Sequence, residues 1–402
     1  MRALFLTWDG PHQSYLESLF FPIFKRLRGH GVDVEVLQLT WAGAAQLEPV
    51  AEAARRFGVD YGSRSVPEAL RKLALPAIVA YGAGAALWHL RRRNIDTLFP
   101  RALIPAAMAL AAARLQPRLD LVFDADGFMA DERIDFGGWK PNGLSYRALR
   151  RVEAACVRRA RSVICRTERA RDILTERSGA GPSTREKIHA APNAKDGAVF
   201  SPHDSIQRVE ARARHGVREG EPWVVYAGSL GPQYCVELML ETFHEIRRRR
   251  PDARFSCFTF QRDALRALAR RSGMPDEVLH VTTLPPRDLP TVLAAADLGI
   301  ALRRDSYSQR GISPIKVGEY LLSGLPVVSC PVGDLGSQLG QSEAALLVDA
   351  ASAGAAAQAA SWFVEHVLPG RERLRAEARS LGERWFELSR CVEIYARALR
   401  RD

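Results

Sequence analysis

Ser313-Pro314-Ile315-Lys316-Val317-Gly318-Glu319-Tyr320, running on to Ser323-Gly324-Leu325-Pro326-Val327-Val328, sets a helix start, a helix stop and a new strand in one short string. Ser313 suits an N-cap and Pro314 the first helical position. Gly324 and Pro326 stop the helix and release the apolar strand that follows. Free N–H groups at such a helix start form an anion site suited to a diphosphate. Lys316 falls in the first turn, where a cation opposes the helix dipole unless an anion is bound there. Glu319 lies one turn further in, within reach of neutral hydroxyls such as those of a ribose. The plain alternative is a surface helix with an ordinary lysine and glutamate. Cap, lysine, carboxylate and stop signal together weigh against it.

Working outward, the same strand, turn and helix texture recurs along all 402 residues. Apolar strands are expected at 2–8, 32–39, 96–99, 120–124, 162–166 and 187–191, with helices at 15–28, 102–115 and 145–160 between them. After a loop and a charged segment the texture restarts, with strands at 223–227, 254–260, 279–282, 298–302, 326–330 and 345–348. Such alternation implies parallel sheets covered on both faces. The expectation is an α/β chain of two Rossmann-like doubly wound domains facing a central cleft. Residues 1–195 form the first domain and 196–375 the second, and a helical tail, 376–402, returns to the first. Length agrees, because one core rarely serves so long a chain.

Composition narrows the function. Hydrophobic residues at 47% and charged residues at 26% fit a packed globular protein. The six cysteines show no CxxC pair, which predicts reduced thiols, no zinc site and a cytoplasmic setting. A formal net charge of +11 suits nucleic acid, an anionic membrane face or phosphate-bearing substrates. Nucleic acid is set aside, since no zinc-finger spacing or aromatic-basic run accompanies the charge. Met1 to Trp8 reads as a first strand rather than a leader peptide. Residues 73–90 are nearly uncharged but hold Pro76, Gly82, Gly84 and His89, which predicts a buried or interface-lying helix rather than a span.

The string SPIKVGEYLLSGLPVV resembles the donor-site helix of glycosyltransferase family 4, whose fold is GT-B. Ala-Pro-Asn-Ala-Lys-Asp at 191–196, with Phe200-Ser201-Pro202, is similar to that family's PNGVD and F.P segment. Val225-Tyr226-Ala227-Gly228-Ser229-Leu230-Gly231 looks like its first donor-domain strand and loop, and 287–298 resembles its "dlp.lla.AD" stretch. The resemblance implies a retaining transferase that takes a sugar from a nucleotide sugar, with no cofactor and no metal. It places Gly228, Ser229, Leu230, Gly311, Ile312, Ser313, Pro314, Ile315, Lys316 and Glu319 at the donor, with Glu319 on the nucleotide ribose. The Arg and Lys that often follow the family's glycine strand are absent here, so Lys316, helped by Arg304 or Arg310, is expected to face the diphosphate. The family's partner carboxylate, eight residues earlier, is replaced here by Gly311, and backbone amides from Gly311 to Ile315 are expected in its stead.

In the first domain, Gly10, Pro11, His12 and Gln13 follow the first strand, and Asp124 and Asp126 end another. Gly10 is expected to let the backbone approach a substrate. Asp126 and His12 are the catalytic candidates, orienting the acceptor hydroxyl or stabilising an oxocarbenium-like charge. The competing expectation is a turn-capping Asp124 beside a solvated Asp126, with His12 an ordinary loop residue. The implied acceptor is a glycan or lipid-linked sugar in bacterial envelope or exopolysaccharide assembly, with peripheral contact at the inner membrane surface. A sugar-nucleotide epimerase of the same build and a catalytically inactive two-lobed nucleotide-sugar-binding protein are the alternatives.

Overall fold

A computed structural model describes residues 1–10, 15–72, 75–275 and 277–400. The chain divides into two compact units. The first comprises Met1–Pro192, Arg310–Ile312 and Ser389–Asp402, the second Asn193–Gln309 and Ser313–Leu388.

Among the described residues, the first unit carries seven strands: β1 (Arg2–Trp8), β2 (Asp33–Thr40), β3 (Tyr61–Ser65), β4 (Thr97–Pro100), β5 (Asp120–Asp126), β6 (Ser162–Cys165) and β7 (Ile188–Ala190). They pair in the order β3-β2-β1-β4-β5-β6-β7, every pair parallel. Ala3, Leu4, Phe5 and Leu6 are all buried, because helices cover both faces of a parallel sheet and leave no polar side. Phe5 anchors an aromatic core, its ring centroid 4.7 Å from Phe20, 5.0 Å from Phe24 and 5.1 Å from Phe99.

Most expected elements appear, with ends shifted by a residue or two. The strand β3 was not expected. Its residues Tyr-Gly-Ser-Arg-Ser carry no apolar run, and as an edge strand it needs none. The helix expected over 15–28 divides into a π-helical turn, Leu16–Phe20, and an α-helix, Phe21–Leu27. The weakly charged stretch expected at 73–90 becomes the helix Leu75–Arg93, with residues 73–74 outside the described residues. Among the described residues no helix is long and apolar enough to cross a membrane, and the cysteines form no disulfide.

The second unit holds β8 (Trp223–Ala227), β9 (Arg254–Phe258), β10 (Leu279–Thr282), β11 (Leu298–Ala301), β12 (Val327–Ser329) and β13 (Ala345–Leu347). Their order is β10-β9-β8-β11-β12-β13, again parallel. Helix Ile315–Leu322 packs against helix Arg371–Phe386. Gly382 permits that approach, since a Cβ there would lie 2.5 Å from the Leu322 amide nitrogen. The tail, expected as one helical stretch, breaks at Glu387, whose backbone is extended. Lys195 takes up the freed groups: its N–H donates to Phe386 O (2.9 Å), and its carbonyl accepts from Leu388 N (3.0 Å). Helix Leu388–Leu399 then belongs to the first unit from Ser389 onward.

Candidate functional site

Each sheet reverses its strand order once, between β1 and β4 in the first unit and between β8 and β11 in the second. At such a reversal the connections leaving the two strands run to opposite faces of the sheet and leave, beyond the carboxyl ends, a crevice that binds ligands.

In the second unit, Gly228 follows β8 with φ at 137°, a left-handed backbone that favours glycine. A Cβ there would also collide with the Lys316 ammonium. Lys316 Nζ donates to the Tyr234 hydroxyl at 3.1 Å and lies 4.3 Å from the Tyr234 ring centroid and 5.4 Å from that of Tyr226. The Arg303 guanidinium, buried at the end of β11, stands 4.7 Å from the same Tyr234 ring, and its Nε donates to Gln309 Oε1 at 2.6 Å. Burial alone would raise the Tyr234 phenol, but Lys316 and Arg303 outweigh it and bring the group down to about 8. The Ser229 carbonyl accepts from the Tyr226 hydroxyl, and Leu230 N donates to Gln261 Oε1 at 2.6 Å.

Arg304 is exposed and turned to the Pro232 carbonyl (3.0 Å). Its neighbour Arg303 is the arginine beside the lysine's partner ring. Sequence reading missed it because neither position announces which side chain faces inward after a four-residue strand.

Helix Ile315–Leu322 begins one residue later than expected. Pro314, not Ser313, occupies the N-cap, and no side chain caps it. Ser313 is instead held by Asn193, whose N–H donates to Ser313 Oγ (3.2 Å) and whose Nδ2 donates to Ser313 O (2.7 Å). Glu319 is buried and pairs with Lys195 at 3.0 Å, which fixes its carboxylate. Lys195 and Asn193 both lie in the segment read only as an interdomain motif.

Gly311 and Ile312 belong to the first unit. A Cβ on Gly311 would sit 2.9 Å from the Phe128 ring, so the carboxylate that the resemblance expects would require Phe128 to shift.

Beside the reversal of the first sheet, one strand beyond β4, Asp126 ends β5 with φ at 55°. Arg101 Nη2 lies 2.8 Å from its Oδ2 and Arg166 Nε 3.4 Å from its Oδ1. Burial would raise this carboxyl, but the two arginines hold it below the ordinary carboxylate range. Asp126 is thus a fixed anion, with its side chain 33% exposed. Asp9, at the end of β1, accepts from Thr7 Oγ1 and lies 3.6 Å from Arg101, and burial raises it.

One expectation for this unit is corrected. Asp124, expected on a cleft loop, is fully buried. Arg166 Nη2 reaches both its oxygens at 2.7 Å, and the Tyr395 hydroxyl donates to Oδ2 at 3.2 Å. A Cβ on Gly10 would lie 2.9 Å from the Trp41 ring, so Trp41 packs where a larger residue would project. Pro11, His12 and Gln13 lie outside the described residues. No group of three or more metal-ligating side chains occurs among the described residues.

Residues 221–366 match the family Glycosyl transferases group 1. The D-inositol 3-phosphate glycosyltransferase of Nocardia farcinica is 30% identical over 233 residues, covering 54% of this chain and 48% of the relative. The chain spans about half the length of the curated relatives it matches. Among solved structures, Anabaena HepE in complex with UDP and glucose is 17% identical with a TM-score of 0.73, covering 99% of both chains. The fold is GT-B. A UDP-GlcNAc 2-epimerase from Neisseria meningitidis, bound to UDP-GlcNAc, shares the build at 13% identity and a TM-score of 0.61, covering 99% of both chains. Identities this low speak for fold alone.

Proposed function

We propose that the chain is a retaining glycosyltransferase, moving a sugar from a nucleoside-diphosphate sugar to a glycan or lipid-linked acceptor in bacterial envelope or exopolysaccharide assembly at the cytoplasmic side. One observation carries the reading. Lys316, in the first turn of helix Ile315–Leu322, reaches Gly228 and Tyr234 at the reversal of the second sheet, within the residues that match the glycosyl transferase family. The UDP and glucose in HepE favour a nucleotide-sugar donor, and the name of the Nocardia relative favours glycosyl transfer.

Departure of a nucleoside diphosphate leaves negative charge on phosphate and positive charge on the sugar. Lys316 and the first N–H groups of its helix stabilise the leaving group. Glu319, steadied by Lys195, accepts from ribose hydroxyls. Asp126, an anion fixed by two arginines, suits stabilisation of oxocarbenium-like charge better than proton abstraction, because a depressed carboxyl is a weak base.

Glu319→Ala is expected to raise the donor KM and lower turnover with unchanged circular dichroism. An unchanged KM would remove Glu319 from the donor site. No metal enters this reading, so turnover is expected to persist in EDTA, and its loss there would overturn the metal-independent mechanism. For the acceptor side, Trp88 is 48% exposed at the basic end of helix Leu75–Arg93, with Arg64 and Arg92 4.3 and 5.1 Å from its ring. An aromatic flanked by arginines suits an anionic headgroup layer. Trp88→Ala is therefore expected to reduce co-sedimentation with anionic vesicles, and equal sedimentation would remove this contact.

A further inference from the structure

Lys316 and Arg303 come from separate elements, yet both lie within 5 Å of one phenol ring. Tyr234 and Arg303 also meet through an antiparallel backbone bridge, so the ring and the guanidinium are carried by one local pairing. The Tyr234 hydroxyl accepts from Lys316 Nζ, while Gly228 leaves the space that the lysine chain occupies. Two cations brought this close repel one another unless something between them answers their charge. The π-face and hydroxyl dipole of Tyr234 do so in part.

We propose that Tyr234 is a positioning residue that holds Lys316 and Arg303 as one two-cation seat for a diphosphate, and that the bound diphosphate takes over the balancing of their charge. The proposal rests on the donor-site reading above and adds to it the residue that builds the seat.

The groups facing Tyr234 are Lys316 and Tyr320 from helix Ile315–Leu322, Arg303 after β11, Ser229 in the loop after β8, and Tyr226 on β8, its ring 6.3 Å away. The phenol is brought down to about 8, so the sign follows directly. Below that pH Tyr234 is neutral and the seat is open to an anion. Above it the phenolate pairs with the same two cations and competes with the ligand.

The test is calorimetric titration of the full chain with inorganic pyrophosphate on both sides of pH 8, for the native protein, Tyr234→Phe and Lys316→Ala. Native affinity is expected to fall as pH rises through about 8. In Tyr234→Phe, affinity at neutral pH is expected to be about tenfold weaker, roughly 1.4 kcal/mol, and flat through that range. Tyr234→Phe binding with native affinity and native pH dependence, while Lys316→Ala loses binding, overturns the positioning role and leaves the donor site standing. No binding to the native protein, or undiminished binding to Lys316→Ala, overturns both. Should Tyr234→Phe not fold, tyrosinate absorbance of the native protein decides. The most acidic tyrosine is expected to titrate at higher pH with pyrophosphate bound, and an unmoved titration overturns the proposal.

Discussion

Asp126 shows how a charge can be fixed by its surroundings rather than by its own chemistry. Its left-handed backbone is tolerated by Asn nearly as well as by Asp, so Asp126→Asn removes the charge with little change of strain. Because Arg101 and Arg166 depress the native carboxyl, its stabilising contribution is complete above the ordinary unfolded value, about 3.9, and is lost as pH falls through the native one. Asp126→Asn should therefore show a shallower loss of stability below about pH 4 than the native protein. An equally steep loss would mean that other carboxylates carry the acid response. The buried neighbour pair behaves differently. Arg166→Met leaves Asp124 buried without its bidentate partner, which is expected to cost about 3–5 kcal/mol in thermal or denaturant unfolding. Lys316 and Glu319 stand out in the sequence because one helix string carries lysine, carboxylate and stop signal, although the cap expected at Ser313 is not there. Arg303, Tyr234, Arg101 and Arg166 were not. Their roles arise where strands far apart in sequence end side by side, and a single arginine after a short strand carries no periodic signal.

At the scale of elements, helix Ile315–Leu322 is held from outside its own sequence. Pro314 brings no side-chain cap, and Asn193 fixes Ser313 by two hydrogen bonds. Asn193→Ala removes the side-chain bond to the Ser313 carbonyl and is expected to cost about 1 kcal/mol in unfolding free energy, with weaker nucleotide binding. Unfolding and binding both equal to native would show that the helix start needs no such support. The strands were readable because buried parallel strands are runs of Val, Ile, Leu and Phe. The edge strand β3 was not, because half-exposed Tyr-Gly-Ser-Arg-Ser lacks that run. The break at Glu387 was equally hidden. A charged, helix-favouring residue gives no stop signal, and the extended backbone there is matched by the paired bonds of Lys195.

For the molecule as a whole, the two sheets account for the fold, and the chain's last described helix completes the first unit. Tyr395 hydrogen-bonds the buried Asp124–Arg166 pair and stacks edge-on against Phe99 at 6.2 Å. Arg161 reaches the carbonyls of Ala398, Leu399 and Arg400. The GT-B build is shared by transferases and sugar-nucleotide epimerases alike, so the architecture alone does not choose between them, and the chemistry at Lys316 and Glu319 must. The most direct measurement is incubation of the native protein and Lys316→Ala with a panel of nucleotide sugars, separating the products by chromatography. The expected result is nucleoside diphosphate released from one donor, largely abolished in Lys316→Ala. Isomerised donor without release, or release undiminished in Lys316→Ala, would contradict a glycosyltransferase built on this helix.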